Sequence, residues 1–173
     1  MILKNYKPVA AALIILMVLL GFSQSGCGVY RFNDTDIPPE VNVVKVNFIQ
    51  NRARYINPTL AADLTDKLRQ KIVSQTRLKQ TNGDDADWVI SPTITTYSLS
   101  TSGISNQQVN SNRLNVAISI EVRDSTQKPK KYDVSRSFDY PGSMTLQQAE
   151  AQLKDELLRS LTDDMFNRIF SDW

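Results

Sequence analysis

The sequence contains no histidine and a single cysteine, Cys27. Zinc and copper sites are built mainly from these two residue types, and a nucleophile that depends on histidine cannot be assembled without one. The six glycines form neither a G-x-G-x-x-G nor a G-x-x-x-x-G-K phosphate loop. We therefore expect no cofactor, no metal site and no enzyme activity. A carboxylate-dependent enzyme is the remaining enzymatic alternative, but the acidic residues lie mostly on predicted helix faces and turns.

Residues 1–26 have the pattern of a secretory signal peptide. Lys4 and Lys7 precede an almost wholly apolar stretch over residues 9–22. About 14 apolar residues are too few for a permanent membrane helix, which needs roughly 20, but they suit the hydrophobic region of a signal. The sequence therefore predicts export across the inner membrane.

The signal ends in a motif for lipid attachment. Ser25 and Gly26 stand directly before Cys27, an order that resembles the lipobox of bacterial lipoproteins, with Gln24 where Leu is usual. A lone cysteine in an exported chain has no partner for an internal disulfide. We predict that Cys27 carries the lipid anchor; the alternative is a plain secretory signal with an incidental cysteine. Gly28 follows instead of Asp, and by resemblance to lipoprotein sorting rules this favours the outer membrane.

The charge of the exported chain is nearly balanced. The whole sequence has 20 basic and 18 acidic residues, and the signal removes Lys4 and Lys7. Binding to nucleic acid through a general positive field is therefore not expected. Recognition of an anion would need cations that are clustered locally.

Hydrophobic periodicity predicts two helices and four strands. Asn57 is the expected N-cap of the first helix, with Pro58 at its first position. Thr145 and Gln148 predict a capping box for the second, whose broad apolar stripe is either a wide core face or partly a partner surface. The predicted elements are strand Val41–Ile49, helix Pro58–Gln75, strands Trp88–Leu99, Leu114–Arg123 and Tyr132–Tyr140, and a helix from Thr145 to near the C-terminus.

The sequence makes three further predictions about the strands and the loop between two of them. Val44, Val46 and Phe48 share one face of the first strand, which we expect to be buried. Pro92 cannot donate to a ladder, so it implies an edge position or a bulge. Ser100–Asn112 is rich in Ser, Asn and Gln and is predicted to be a flexible hairpin loop.

This element order predicts an α+β fold. Three strands joined by short links form an antiparallel meander, and the first strand can join them in parallel through a right-handed helical crossover. We expect a two-layer sandwich with two helices on one face of a four-stranded mixed sheet, in the order β-α-β-β-β-α. The predicted organisation is a signal peptide at 1–26, a lipidated tether at 27–40 and a single α+β domain at 41–173.

Two groups of charged residues invite a functional interpretation. Asp84, Asp85 and Asp87 follow a turn and could hold calcium, but they lack the later Glu of an EF-hand, so a solvated turn is favoured. Arg136 falls in the apolar row of the last strand. It either extends to water at the rim of the sheet or contacts an anion.

Short motifs are spread along the mature chain. In order they are Cys27 with Gly28-Val29-Tyr30-Arg31, Ile37-Pro38-Pro39 before a Val-rich strand, Asn57-Pro58 opening a Leu-spaced helix, Ser74-Gln75-Thr76-Arg77-Leu78, and Asp87-Trp88 opening a strand. Their order and the element pattern resemble the LptE family of outer-membrane lipopolysaccharide-assembly lipoproteins, over essentially the whole mature chain. No single motif is diagnostic.

The resemblance implies a non-enzymatic function and specific partners. A member of this family would sit inside the lumen of the LptD β-barrel, plug it, help it assemble and assist delivery of lipopolysaccharide to the outer leaflet. Lumen walls are polar, and the polar face of the Leu114–Arg123 strand suits such a wall.

The meander brings the Ser100–Asn112 loop and the turn after Asp139 to one end, opposite the lysine-rich turn Lys128–Lys131. Arg113 and Arg136 are the cations nearest the first end. Our hypothesis is that they contact lipopolysaccharide phosphates, since Arg binds phosphate in bidentate fashion. Two other functions stay open: a lipoprotein adaptor for another envelope secretion or assembly complex, and a small periplasmic enzyme.

Overall fold

The computed structural model describes residues 37–105, 108–124 and 128–171. The predicted signal peptide at 1–26, Cys27 and the tether up to residue 36 lie outside these residues, so their roles stay predictions. Within the described ranges, no helix combines the length and apolar character that crossing a membrane requires.

The fold is the predicted α+β sandwich, but its sheet has six strands instead of four. Four of them, β1, β4, β5 and β6, correspond to the predicted first strand and the predicted meander. The other two, β2 and β3, have only two residues each and are too short to give a periodic signal. The sheet order is β3-β1-β4-β5-β6, with β2 also paired to β4. The elements are β1 Val43–Val46, β2 Gln50–Asn51, α1 Leu60–Gln75, β3 Lys79–Gln80, β4 Trp88–Ser105, β5 Gln108–Asp124, β6 Lys130–Pro141 and α2 Leu146–Phe170.

The core lies between the sheet and the two helices. The four-residue spacing predicted for α1 is buried as expected, from Leu60 to Ile72. The wide stripe of α2 is core and not a partner surface, since Met165, Phe166 and Phe170 are all buried. Each side chain of this size contributes about 1.5–3 kcal/mol when fully removed from water.

Both helix starts use the predicted polar residues. Thr145 and Gln148 form the capping box, with N–O distances of 3.3 and 3.0 Å. The Asn57 side chain accepts hydrogen bonds from the backbone N–H groups of Thr59 and Leu60, at 3.1 Å each. The α-helix itself begins at Leu60, so Pro58 lies in the preceding turn and not at the first helical position.

The expectation of a flexible loop over Ser100–Asn112 is wrong. β4 continues to Ser105, and β5 starts at Gln108, so most of this segment is a paired antiparallel arm. The ladder satisfies the backbone while side-chain bonds such as Ser102 Oγ to Ser111 Oγ, at 2.8 Å, cross the strands. Small polar residues are compatible with pairing here because much of the arm is exposed to water.

Pro92 is not on an edge, but the alternative of an irregular pairing fits, because residues 47–49 of the neighbouring chain stand opposite only Ser91 and Pro92. β4 has β5 on one side and both β1 and β2 on the other. β1 ends with Val46 opposite Ile90, and β2 begins with Gln50 opposite Thr93. Pro92 therefore lies in the middle of the sheet, opposite a break between two strands that both pair with β4.

The ladder geometry explains why this position accepts proline. The carbonyl of Ile90 accepts from Asn47 N–H and that of Ile94 accepts from Arg52 N–H, both at 2.9 Å. Backbone groups of alternate residues in a strand point to the same side, so the missing N–H of Pro92 also faces the β1–β2 side. The segment between β1 and β2 stops pairing with β4 at the position where Pro92 has no N–H to donate.

Side chains of α1 satisfy the backbone at the break. The Ile49 N–H donates to Thr65 Oγ1 at 3.0 Å, and that hydroxyl donates to the Ala61 carbonyl at 2.6 Å. The Val46 carbonyl accepts from Arg69, with an Nη2–O distance of 2.7 Å. Buried backbone groups need hydrogen-bond partners, and at the break the side chains of α1 provide them.

The break reverses one burial prediction. Val44 and Val46 are buried as expected, but Phe48 is 58% exposed and Ile49 is fully buried. The alternation of the first strand stops after Val46, because the chain no longer follows the β4 ladder. Phe48 thus points away from the core.

We predict that Thr65→Val destabilises the protein by about 1–3 kcal/mol, because it leaves the buried Ile49 N–H without an acceptor. Chemical denaturation of the mature domain measures the change. Thr65→Ser is the matched control, since it retains the hydroxyl and should lose much less. Equal losses for Val and Ser would show that the hydrogen bond is unimportant.

Candidate functional site

Arg113 lies on the face of the sheet that the helices leave uncovered. It is held by Asp139 of β6 in a bidentate pair, with Nε–Oδ1 at 2.8 Å and Nη2–Oδ2 at 2.9 Å. The hydrogen bond from Arg113 is the main cause that holds the pKa of Asp139 below its usual range. A phosphate contacting Arg113 would have to compete with this carboxylate.

Arg136 lies on the opposite face, between the buried Val134 and Phe138 of β6. Its guanidinium reaches the rim of the sheet and pairs with Asp164 of α2 through both Nε and Nη2, the Nη2–Oδ1 distance being 2.7 Å. An inward-pointing charge on an edge strand also discourages pairing with another sheet. The rim position fits the first interpretation of Arg136, with a helix carboxylate as its partner.

The two arginines do not form one site. In the register, Arg113 stands opposite Asp139, and Arg136 stands opposite Val116, so the side chains leave the sheet on different faces. A direct role for each in contacting lipopolysaccharide stays a hypothesis. One ligand would need to wrap around the β6 edge to reach both.

Both helices begin at the hairpin end of the sheet. β1 and β6 run parallel to β4, toward the arm. α1 follows β2 and α2 follows β6, and both helices run back in the opposite direction. Helix N-termini carry a partial positive charge of about half an elementary charge. Asp63 in the first turn of α1 and Asp139 beside Arg113 offset part of this charge.

Two of the three aspartates in the acidic turn, Asp84 and Asp87, bind neighbouring parts of the fold. Asp84 pairs with Lys45 at 2.9 Å. Asp87 Oδ2 accepts from the backbone N–H groups of Asn42 and Val43, at 2.8 and 2.9 Å, and these bonds lower the pKa of Asp87. Among the described residues, no three His, Cys, Asp or Glu side chains are grouped so as to hold a metal ion. The turn interpretation fits this geometry.

The uncovered sheet face also contains a wide depression beside the β1–β2 break, with a volume of about 710 Å³. Its lining includes Ser and Thr side chains of β4 and β5 and the exposed ring of Phe48. The lining residues are Asn47, Phe48, Gln50, Arg52, Ser91, Pro92, Thr93, Thr95, Ser119, Glu121, Arg123 and Lys131.

Three cations and one carboxylate surround this depression. Arg123 Nε binds Glu121 Oε1 at 2.8 Å, and this bond is the main cause of the lowered pKa of Glu121, to which Lys131 adds. Arg52 donates to the neutral amide oxygen of Gln50 at 2.9 Å. The lining therefore carries a net positive charge.

Sequence reasoning missed this depression. Its residues come from β2, β4, β5, β6 and the segments beside β2, and periodicity within one strand does not show which strands meet. One signal was available: a proline within a strand implies either an edge position or an irregular pairing with the neighbouring strand. The break opposite Pro92 exposes Phe48 and opens the depression.

The fold defines a two-layer α+β protein with one sheet face left uncovered by helices. The model of the LptE family, described as lipopolysaccharide-assembly, matches residues 41–169. The chain therefore belongs to the LptE family, a family of non-enzymatic envelope lipoproteins that function in lipopolysaccharide assembly. None of the curated proteins matches the chain significantly.

Solved structures share the fold at low sequence identity. An uncharacterized lipoprotein B from Nitrosomonas europaea is 15% identical, with 80% of this chain and 84% of that chain covered and a TM-score of 0.53. A putative neuraminyllactose-binding hemagglutinin homolog from Helicobacter pylori is 6% identical, with 79% and 90% covered and a TM-score of 0.51. A hypothetical protein from Chlamydia trachomatis is 10% identical, with 76% and 99% covered and a TM-score of 0.50. Such likeness supports the architecture alone.

We predict that Phe48→Ser changes the free energy of unfolding by no more than about 0.5 kcal/mol, because the side chain is mostly exposed. Ile49→Ala, one residue further, should cost about 2–5 kcal/mol because Ile49 is fully buried. Denaturant titration of the two variants checks the exposure pattern. A larger loss for Phe48→Ser than for Ile49→Ala would contradict it.

Proposed function

We propose that this protein is an outer-membrane lipoprotein, anchored through Cys27, that lodges in the lumen of an LptD-type β-barrel. It plugs the barrel, helps it assemble and assists passage of lipopolysaccharide to the outer leaflet. The observation that carries the proposal is the family match over nearly the whole described domain.

The physical properties of the uncovered sheet face support the proposal. A plug must meet a lumen wall, and the inward side chains of large barrels are polar. The face presents side chains such as Ser91, Thr93, Asn115, Ser119 and Ser137, all partly or fully exposed. A protein with this face can fill a wet lumen without burying unpaired charge in an apolar contact.

The hairpin end suits contact with lipopolysaccharide. Arg113 lies near the arm, Arg136 lies at the β6 edge, and both helix N-termini begin at the same end. We propose that lipid phosphates exchange with Asp139 on Arg113 and with Asp164 on Arg136. Each pair is solvent-accessible, and exposed ion pairs are weak enough to be exchanged.

Detergent pull-down of the lipidated protein from its own envelope tests the barrel partner. We expect a stoichiometric large β-barrel of the LptD type, identified by mass spectrometry. Recovery of other envelope proteins without that barrel would favour the adaptor function over the plug. A Cys27→Ser variant serves as a control for lipid-dependent carry-over of membrane fragments.

A double charge reversal tests the lipopolysaccharide contact. Arg113→Glu plus Arg136→Glu should weaken binding of purified lipopolysaccharide by at least about tenfold, since two phosphate contacts become repulsive. Lys128→Glu plus Lys130→Glu is the matched control, because it reverses two exposed cations at the opposite end of the meander. Unchanged binding by the arginine variant, in a folded protein, would remove both residues from the proposed site.

A further inference from the structure

The depression on the uncovered sheet face combines an exposed aromatic ring, hydroxyl side chains and cations. Its lining includes Phe48, which is 58% exposed, and Ser and Thr hydroxyl groups. Aromatic residues and Arg are the types most enriched at protein interfaces and among the residues that dominate binding energy. An exposed ring beside two arginines therefore indicates a contact surface.

The charge of the depression indicates what that surface meets. Arg123 is paired with Glu121, whereas Arg52 donates to the neutral amide oxygen of Gln50 and has no carboxylate partner among the described residues. Lys131 adds a further cation at the rim. The net positive lining is complementary to carboxylates that stand on a polar surface.

The depression is distant from the hairpin end. Arg113 and Arg123 are ten residues apart on β5, which corresponds to about 30 Å at roughly 3.3 Å per residue. The Debye length is about 8 Å at physiological ionic strength, so charges at one end have little effect on binding at the other. Variants at the two ends can therefore be interpreted separately.

We infer that this depression is the surface through which the protein docks on the inner wall of its barrel, where it receives an acid-bearing polar stretch of the wall. The inference rests on the proposed function and adds which face meets the barrel. Phe48 packs against the wall, Arg52 and Lys131 bind carboxylates, and the Ser and Thr hydroxyl groups hydrogen-bond with polar wall side chains. The hairpin end is then left for lipopolysaccharide.

Photo-crosslinking of the full lipidated protein in its own envelope tests this orientation. A photoreactive phenylalanine derivative replaces Phe48 in one variant and Val73 of α1 in the other; these side chains are 58% and 56% exposed. We expect the Phe48 variant to crosslink to inward-facing barrel strands that carry Asp or Glu, and much more strongly than the Val73 variant. Mass spectrometry of the crosslinked peptides identifies the strands.

Charge reversal tests the electrostatic part. Arg52→Glu plus Lys131→Glu should lower recovery of the barrel by about tenfold, whereas Arg54→Glu plus Lys130→Glu should not, because these neighbouring exposed cations lie outside the depression. Equal thermal stability of the two double variants ensures that folding does not cause the difference. Equal loss in both variants would overturn the inference.

The remaining outcomes separate the inference from the proposed function. If the barrel is recovered but crosslinks to position 73 as strongly as to position 48, the docking surface is elsewhere and the plug function stands. A crosslink from position 48 to lipopolysaccharide would also overturn the inference, because the depression would then bind the cargo. If the unmodified protein recovers no barrel, the proposed function fails and the inference fails with it.

Discussion

A proline in the middle of the sheet imposes the constraint on which the surrounding structure depends. Pro92 offers no donor toward β1 and β2, so the neighbouring chain leaves the ladder between Val46 and Gln50. The Ile49 N–H and the Val46 carbonyl lie at this break, and Thr65 and Arg69 of α1 bind them from the helix layer. The break is therefore where the sheet, the first helix and the exposed Phe48 meet.

The sheet separates two surfaces with different chemistry. The helix-covered face holds the apolar core, and the opposite face retains hydroxyls, amides and a basic depression around Phe48. The long β4–β5 arm and both helix N-termini lie toward one end, together with Arg113. This separation of surfaces suits the proposed function, in which one surface holds a wall and another leaves a route for an anionic lipid.

Local pattern predicted much of the fold because local forces decide it. The four-residue spacing of α1, the Thr145–Gln148 capping box and the strict alternation of β5 each depend on neighbours within a few residues, and all three are present. The arm was missed for the opposite reason. Its Ser and Asn side chains resemble a loop in composition, and only pairing of β4 with β5 makes them a strand.

The candidate surfaces were predicted less well than the fold. Arg113 and Arg136 are neighbours in a topology diagram, but strand parity sends them to opposite faces, and each has a carboxylate partner from another element. Phe48 looked like a core residue because alternation was extended past the point where β1 ends. Periodicity assumes a continuous strand, and that assumption fails opposite a proline.

The sequence by itself determined the helices, the order of the main strands, the family resemblance and the prediction of a lipid-bearing Cys27, because each follows from short-range pattern. Only the tertiary structure decided that Pro92 is central, that Phe48 faces outward and that residues of four strands line a basic depression. These features depend on which strands lie side by side. Strand neighbours distant in sequence are chosen by packing of the whole core, and no local pattern records that choice.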